Sequence, residues 1–181
     1  MVEDPTPGAA SRSAVLRELV EVVAFSLLLA LLIRAFVMQV VVVDGPSMEP
    51  TLLSGQRLII NKLVYRFRTP ATGDIIVFGY PRDPSRDFVK RVIAAGGQTV
   101  EIRAGVVYVD GKALSEPYVH YPSHDNFPRI RVPKGTLFVL GDNRANSDDS
   151  RSDVGMVPLR NVKGLAFLRL WPLPDFGWMG R

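Results

Sequence analysis

The most apolar segment of the chain lies between residues 16 and 43, with an uninterrupted run from Val22 to Ile33 bounded by Glu21 and Arg34. That run alone is shorter than the roughly 20 residues a helix needs to cross a bilayer. Glu21 and Arg34 can reach the headgroup layer from its edges, and apolar character resumes through Ala35, Phe36, Val37 and Met38. The pattern predicts a membrane span over residues 16–38. A core helix of a soluble domain is the alternative, but residues 27–33 show no polar stripe. A cleavable signal peptide would end in a small-x-small site, whereas Arg34, Phe36 and Met38 occupy that region. The span is therefore expected to remain as an uncleaved anchor. Arg12 and Arg17 ahead of it favour a cytoplasmic N-terminus, with Glu18, Glu21 and Arg34 acting against that asymmetry. Residues 1–15 have no hydrophobic periodicity and read as a flexible tail.

Beyond the span the helical pattern gives way to short β-prone runs between turn residues. They fall at 39–43, 57–61, 74–78, 88–94, 99–103, 106–109, 130–132, 137–140 and 164–170. Asp110-Gly111 marks a hairpin turn between two of them. The expected fold is mainly β: a compact antiparallel, β-barrel-like unit over 39–181, preceded by one N-terminal transmembrane helix. Residues 116–129 read as an irregular loop or small insertion. The chain has no cysteine, so disulfides, a thiol nucleophile and thiolate metal sites are excluded. Its net charge of +4 comes without a lysine-arginine block or aromatic-basic interleaving, which argues against nucleic acid as partner.

Four segments carry more specification than packing requires. In Gly45-Pro46-Ser47-Met48-Glu49-Pro50-Thr51-Leu52, a glycine and two prolines stiffen a turn around a serine. Taken alone it also reads as ordinary turn chemistry. In Asp87-Phe88-Val89-Lys90-Arg91-Val92-Ile93, a lysine interrupts an apolar strand and shares a face with Phe88 and Val92. Burial drives an ammonium toward its neutral form, and a neutral amine is a competent base for a serine hydroxyl. An edge-strand lysine that discourages aggregation is the competing reading. Residues 141–151 form a dense polar loop after an apolar strand, open to a cross-linking role, a solvated turn or a calcium loop. The bidentate glutamate and the spacing of a calcium loop are missing. Asp74, in Gly73-Asp74-Ile75-Ile76-Val77-Phe78, suits a turn before a buried strand. His120 and His124 are separated by Pro122, which breaks the helical geometry a metal pair would use. No metal or other cofactor is expected.

In their order these segments resemble the bacterial type I signal peptidases: an anchor, Gly-x-Ser-Met-x-Pro-Thr-Leu, Gly-Asp-Ile-Ile-Val-Phe, Lys-Arg, Gly-Asp-Asn-Arg-x-Asn-Ser-x-Asp-Ser-Arg and Gly-x-Val-Pro, here Gly155 to Pro158. The resemblance covers residues 18–171. It implies a membrane-bound serine endopeptidase that removes signal peptides from exported preproteins, with Ser47 as nucleophile and Lys90 as general base. Ser147 would hydrogen-bond and orient the Lys90 amine, and Asp149 and Arg151 would pair to hold their loop. The Ser47 N–H would be one oxyanion donor. Some relatives supply a second from a hydroxyl two residues earlier, where this chain has Gly45. Val43, Met48, Leu52, Phe88 and Val89 would line shallow apolar pockets suited to an Ala-x-Ala-like site. The resemblance further implies a single-pass protein of the plasma membrane acting as a monomer, with its β-rich catalytic domain on the extracytoplasmic side. The chain departs from the family pattern at Gln98, at Ala145 and at Ser152 to Val154, all outside the residues given catalytic roles. Two other functions share these features: a different Ser/Lys protease of the same fold, and a catalytically silent module that captures extended peptides.

Overall fold

A computed structural model of the chain describes residues 12–179; the expected tail at 1–15 lies outside them up to residue 11, and its last four residues already belong to the first helix. The chain divides into two units, residues 1–37 and 38–181. In the first, helix α1 (Arg12–Leu32) continues through a π-helical turn at Ile33–Val37. Residues Ala14–Val37 form one helix long and apolar enough to cross a membrane. At about 1.5 Å per residue its length exceeds the roughly 30 Å of a hydrocarbon core. Arg17 and Glu21 pair across one helical turn at 2.8 Å, so the charge that borders the N-terminal end of the run is partly neutralised. The helix ends one residue before the predicted boundary, because Met38 already belongs to a strand.

Among the described residues the second unit is built from twelve strands. In chain order they are β1 (Met38–Val42), β2 (Arg57–Asn61), β3 (Ile75–Tyr80), β4 (Asp83–Ala95), β5 (Thr99–Arg103) and β6 (Val106–Val109). Then come β7 (Lys112–Ala113), β8 (Phe127–Arg131), β9 (Thr136–Leu140), β10 (Val157–Pro158), β11 (Val162–Trp171) and β12 (Gly177–Trp178). A short helix, α2 (Val64–Phe67), follows β2. The larger sheet has the order β1-β2-β11-β3-β4-β9-β10, with β12 added beside β11; the smaller runs β7-β6-β5-β8. Every strand pair is antiparallel, as the short alternating runs predict.

Burial explains which strands pair where. In β2, Leu58 and Ile60 point inward and alternate with less buried positions. β3 is buried along its whole length, so its apolar run does not alternate. β4 changes character along its length: residues 83–87 are exposed, and Lys90 is its first fully buried residue. Its polar first half hides the strand from a hydrophobic reading of the sequence, which begins it only at Phe88. The Asp110–Gly111 hairpin forms as expected, joining β6 to β7. Asp74 does more than turn the chain. Its buried carboxylate receives Arg68 at 2.6 Å, Tyr65 Oη at 3.1 Å and the Ala71 amide at 3.0 Å, fixing α2 against the start of β3.

Candidate active site

Ser47 sits on the turn after β1, and the residues beside it hold that turn down. The amide of Leu52 bonds Met48 O at 2.8 Å and that of Glu49 bonds Pro46 O at 3.0 Å. Met48 and Leu52 are 1% and 0% exposed and pack with Val43, Leu58 and Ile60 in one core cluster. They plug the turn into the core from below, whereas the sequence reading assigns them to substrate pockets. Gly45 adopts φ +89°, a left-handed conformation that a side chain makes costly. No hydroxyl stands at that position to act as an oxyanion donor.

Lys90 reaches the same point from β4. Its Nζ lies 2.7 Å from Ser47 Oγ and 3.2 Å from Val89 O, and 5.2 Å from the Phe88 ring centre. The residue is 4% exposed. Burial lowers its pKa from 10.5 to about 8, against the opposing pull of the Asp149, Asp148 and Asp142 carboxylates. The ammonium form is thus costly enough that a useful fraction of neutral amine exists near neutral pH, in contact with a hydroxyl it can deprotonate.

The polar loop 141–151 ties both residues in place. Asn143 donates from its backbone N–H to Ser47 O at 3.1 Å and from Nδ2 to Pro46 O at 3.2 Å. Asp142 takes Arg91, the neighbour of Lys90, in a two-point pair at 2.9 and 2.7 Å, with both side chains dry. Asp149 and Arg151 form the expected pair through two bonds of 2.9 Å, and Asp149 also accepts from the Gly141 amide at 3.1 Å. Ser147 differs from expectation: its buried Oγ packs against Gly141 and has no hydrogen-bond partner among the described residues. The bonds Lys90 makes run to Ser47 and Val89 instead.

A cleft of about 480 Å³ opens over the pair. Val43, Phe88 and Val89 line it as expected; Val41, Leu58 and Val77 join them. Along its sides run two strand edges. β1 ends the larger sheet, and β9 pairs with β4 only over Arg91–Ala95, leaving residues 86–90 with an open edge on that side among the described residues. An extended peptide can add to such an edge by main-chain bonds.

A hydroxyl held against a buried amine in a cleft flanked by open strand edges fits the class of serine peptidases, and the same chain carries a helix long and apolar enough to cross a membrane. The family described as "Signal peptidase, peptidase S26" matches residues 16–171. A probable signal peptidase I-1 of Synechocystis sp. is 43% identical over 172 residues, 91% of this chain and 87% of that protein. A signal peptidase I of Leptolyngbya laminosa is 40% identical over 173 residues, 91% of this chain and 84% of that one. A solved signal peptidase I of Enterococcus faecalis shares 36% identity with a TM-score of 0.49, covering 54% of this chain and 97% of that chain. The chain belongs to the signal peptidase family S26 and is a serine peptidase of the signal peptidase I type.

Proposed function

We propose that this chain releases exported proteins by cutting after an Ala-x-Ala-like site through a Ser47/Lys90 dyad. Neutral Lys90 accepts the Ser47 proton as Oγ attacks the scissile carbonyl. The Ser47 N–H donates to the developing oxyanion. The Lys90 ammonium then protonates the departing amine, and the same amine, neutral again, activates water to hydrolyse the ester. The signal segment lies extended between the open edges of β1 and β4, and the shallow walls formed by Val43, Phe88 and Val89 favour small side chains one and three residues before the cut. The chain works as a monomer, needs no cofactor, and spans the plasma membrane once with its N-terminus cytoplasmic and residues 39–181 outside. Holding enzyme and preprotein on one membrane raises their effective concentration.

The observation that carries this reading is the 2.7 Å contact between a serine hydroxyl and a lysine amine buried to 4% exposure. The test is preprotein processing by the full chain in detergent or vesicles. Ser47→Ala and Lys90→Ala are each expected to lose at least 10³-fold in rate while still binding substrate. Processing by either variant at the wild-type rate refutes the dyad.

A further inference from the structure

The loop between β7 and β8 takes no part in the chemistry above, yet its side chains end on the arginines around the dyad. Glu116 takes Arg144 through both carboxylate oxygens, with side chains 10% and 4% exposed. Arg144 Nε donates in turn to Gly141 O at 3.0 Å. Tyr118 Oη donates to Glu116 Oε1 at 3.0 Å, and its ring lies under the Arg91 guanidinium at 3.8 Å. Burial, together with the Glu116 charge, pushes the Tyr118 phenol up, so it stays a donor throughout the working pH range. Tyr121 O accepts from the Ala145 amide at 3.3 Å.

Arg91 and Arg151 each have a carboxylate within the catalytic loop, Asp142 and Asp149. Arg144 does not. Among the described residues, Glu116 is the only carboxylate in ion-pair reach of it. One distant glutamate therefore compensates the buried charge that anchors the loop at Gly141. Two residues further on, Asn143 holds both Ser47 O and Pro46 O. Tyr118 couples this arm to Arg91 and so to the strand that carries Lys90. A buried ion pair is weak evidence for stability in its own right, but reacting groups tolerate little misplacement: a 1 Å error can cost about 10²-fold.

We propose that Glu116 is a positioning residue that sets the distance and angle between Ser47 and Lys90, anchoring Arg144 directly and bracing Arg91 through the Tyr118 ring. The proposal rests on the Ser47/Lys90 reading above.

The test follows acylation of Ser47 by a penem in the full-length chain in detergent, scoring the rate constant and the final adduct per chain separately. Glu116→Gln keeps the shape and removes the charge. Its acylation rate constant is expected to fall about tenfold, with one adduct per chain at saturation and the KM for a signal-peptide substrate within twofold of wild type. The pH midpoint of the rate should stay in place, since Glu116 is not among the carboxylates acting on Lys90. Tyr118→Phe loses only the bond to Glu116, strands no charge and is expected to slow acylation about two- to threefold. A merely structural role predicts fewer reactive chains at the wild-type rate constant, and that result overturns the proposal. A wild-type rate constant in Tyr118→Phe overturns it as well, including where Glu116→Gln fails to fold. Wild-type chain that forms no adduct at Ser47 overturns the dyad reading first, and this proposal with it.

Discussion

Replacing Lys90 by methionine removes a buried ammonium and keeps an unbranched apolar side chain of similar length. The gap between the ordinary 10.5 and about 8 is worth about 3 kcal/mol at about 1.4 kcal/mol per pH unit. The sign follows from proton binding. The folded chain holds this proton less tightly than the unfolded one, so between about pH 8 and 10.5 the unfolded state binds more protons and stability rises with pH. Below pH 8 the full cost of burying the charge is present. Methionine removes that cost and also forfeits the amine's contacts with Ser47 Oγ and Val89 O, together about 1 kcal/mol. Lys90→Met is thus expected to be inactive and about 2 kcal/mol more stable at pH 7, a rise in Tm of roughly 4–8 °C. The advantage shrinks by about 3 kcal/mol as pH rises past 10.5. The assay is thermal unfolding of the full chain in detergent, followed by near-UV circular dichroism from pH 6.5 to 10.5 in wild type and variant together. A stability difference flat across that range, or a variant less stable than wild type at pH 7, refutes the reasoning.

Three other outcomes follow from the same geometry. Asp148 is an exposed carboxylate that raises the Lys90 pKa; Asp148→Asn should move the acid limb of kcat/KM to lower pH and raise activity at pH 7, as a pH-rate profile will report. Gly141 has Ser147 Oγ and Ser47 O against the place where a Cβ would sit; Gly141→Ala should cost about 1–3 kcal/mol by chemical denaturation and slow cleavage at least tenfold. Arg91→Met leaves the fully buried Asp142 carboxylate without its partner and should cost about 3–5 kcal/mol, most of it recovered in the double variant Arg91→Met/Asp142→Leu.

What the sequence makes legible depends on how far apart the interacting residues are. The apolar run at 22–33 and the alternating runs after it announce an anchor and a mainly β unit, because helix and strand periodicities are local. The smaller elements carry little signal: β10 and β12 are two residues each, and the exposed half of β4 has a polar composition that does not read as strand. Ser47 and Lys90 each admit an ordinary reading alone, and the order of the surrounding motifs brings them together. Met48 and Leu52 show a different limit. An apolar residue beside a nucleophile suits a pocket wall as well as a core plug, and only the path of the turn decides between them. Ser147 is adjacent to the dyad as the motif implies, but its hydroxyl lacks the bond to Lys90 that the motif leads one to expect. Glu116 and Arg144 are 28 positions apart, and their pairing depends on the small sheet returning its loop to the catalytic loop, which no local pattern encodes.

The proposed chemistry requires Lys90 to be a base at working pH. An NMR titration of its side chain in the full chain, with 13C at the lysine Cε carbons and the Lys90 signal assigned by its loss in Lys90→Met, reads that property directly. The expected midpoint is about 8, coinciding with the acid limb of kcat/KM for preprotein cleavage. A midpoint at or above 10, with activity already full at pH 8, would contradict it.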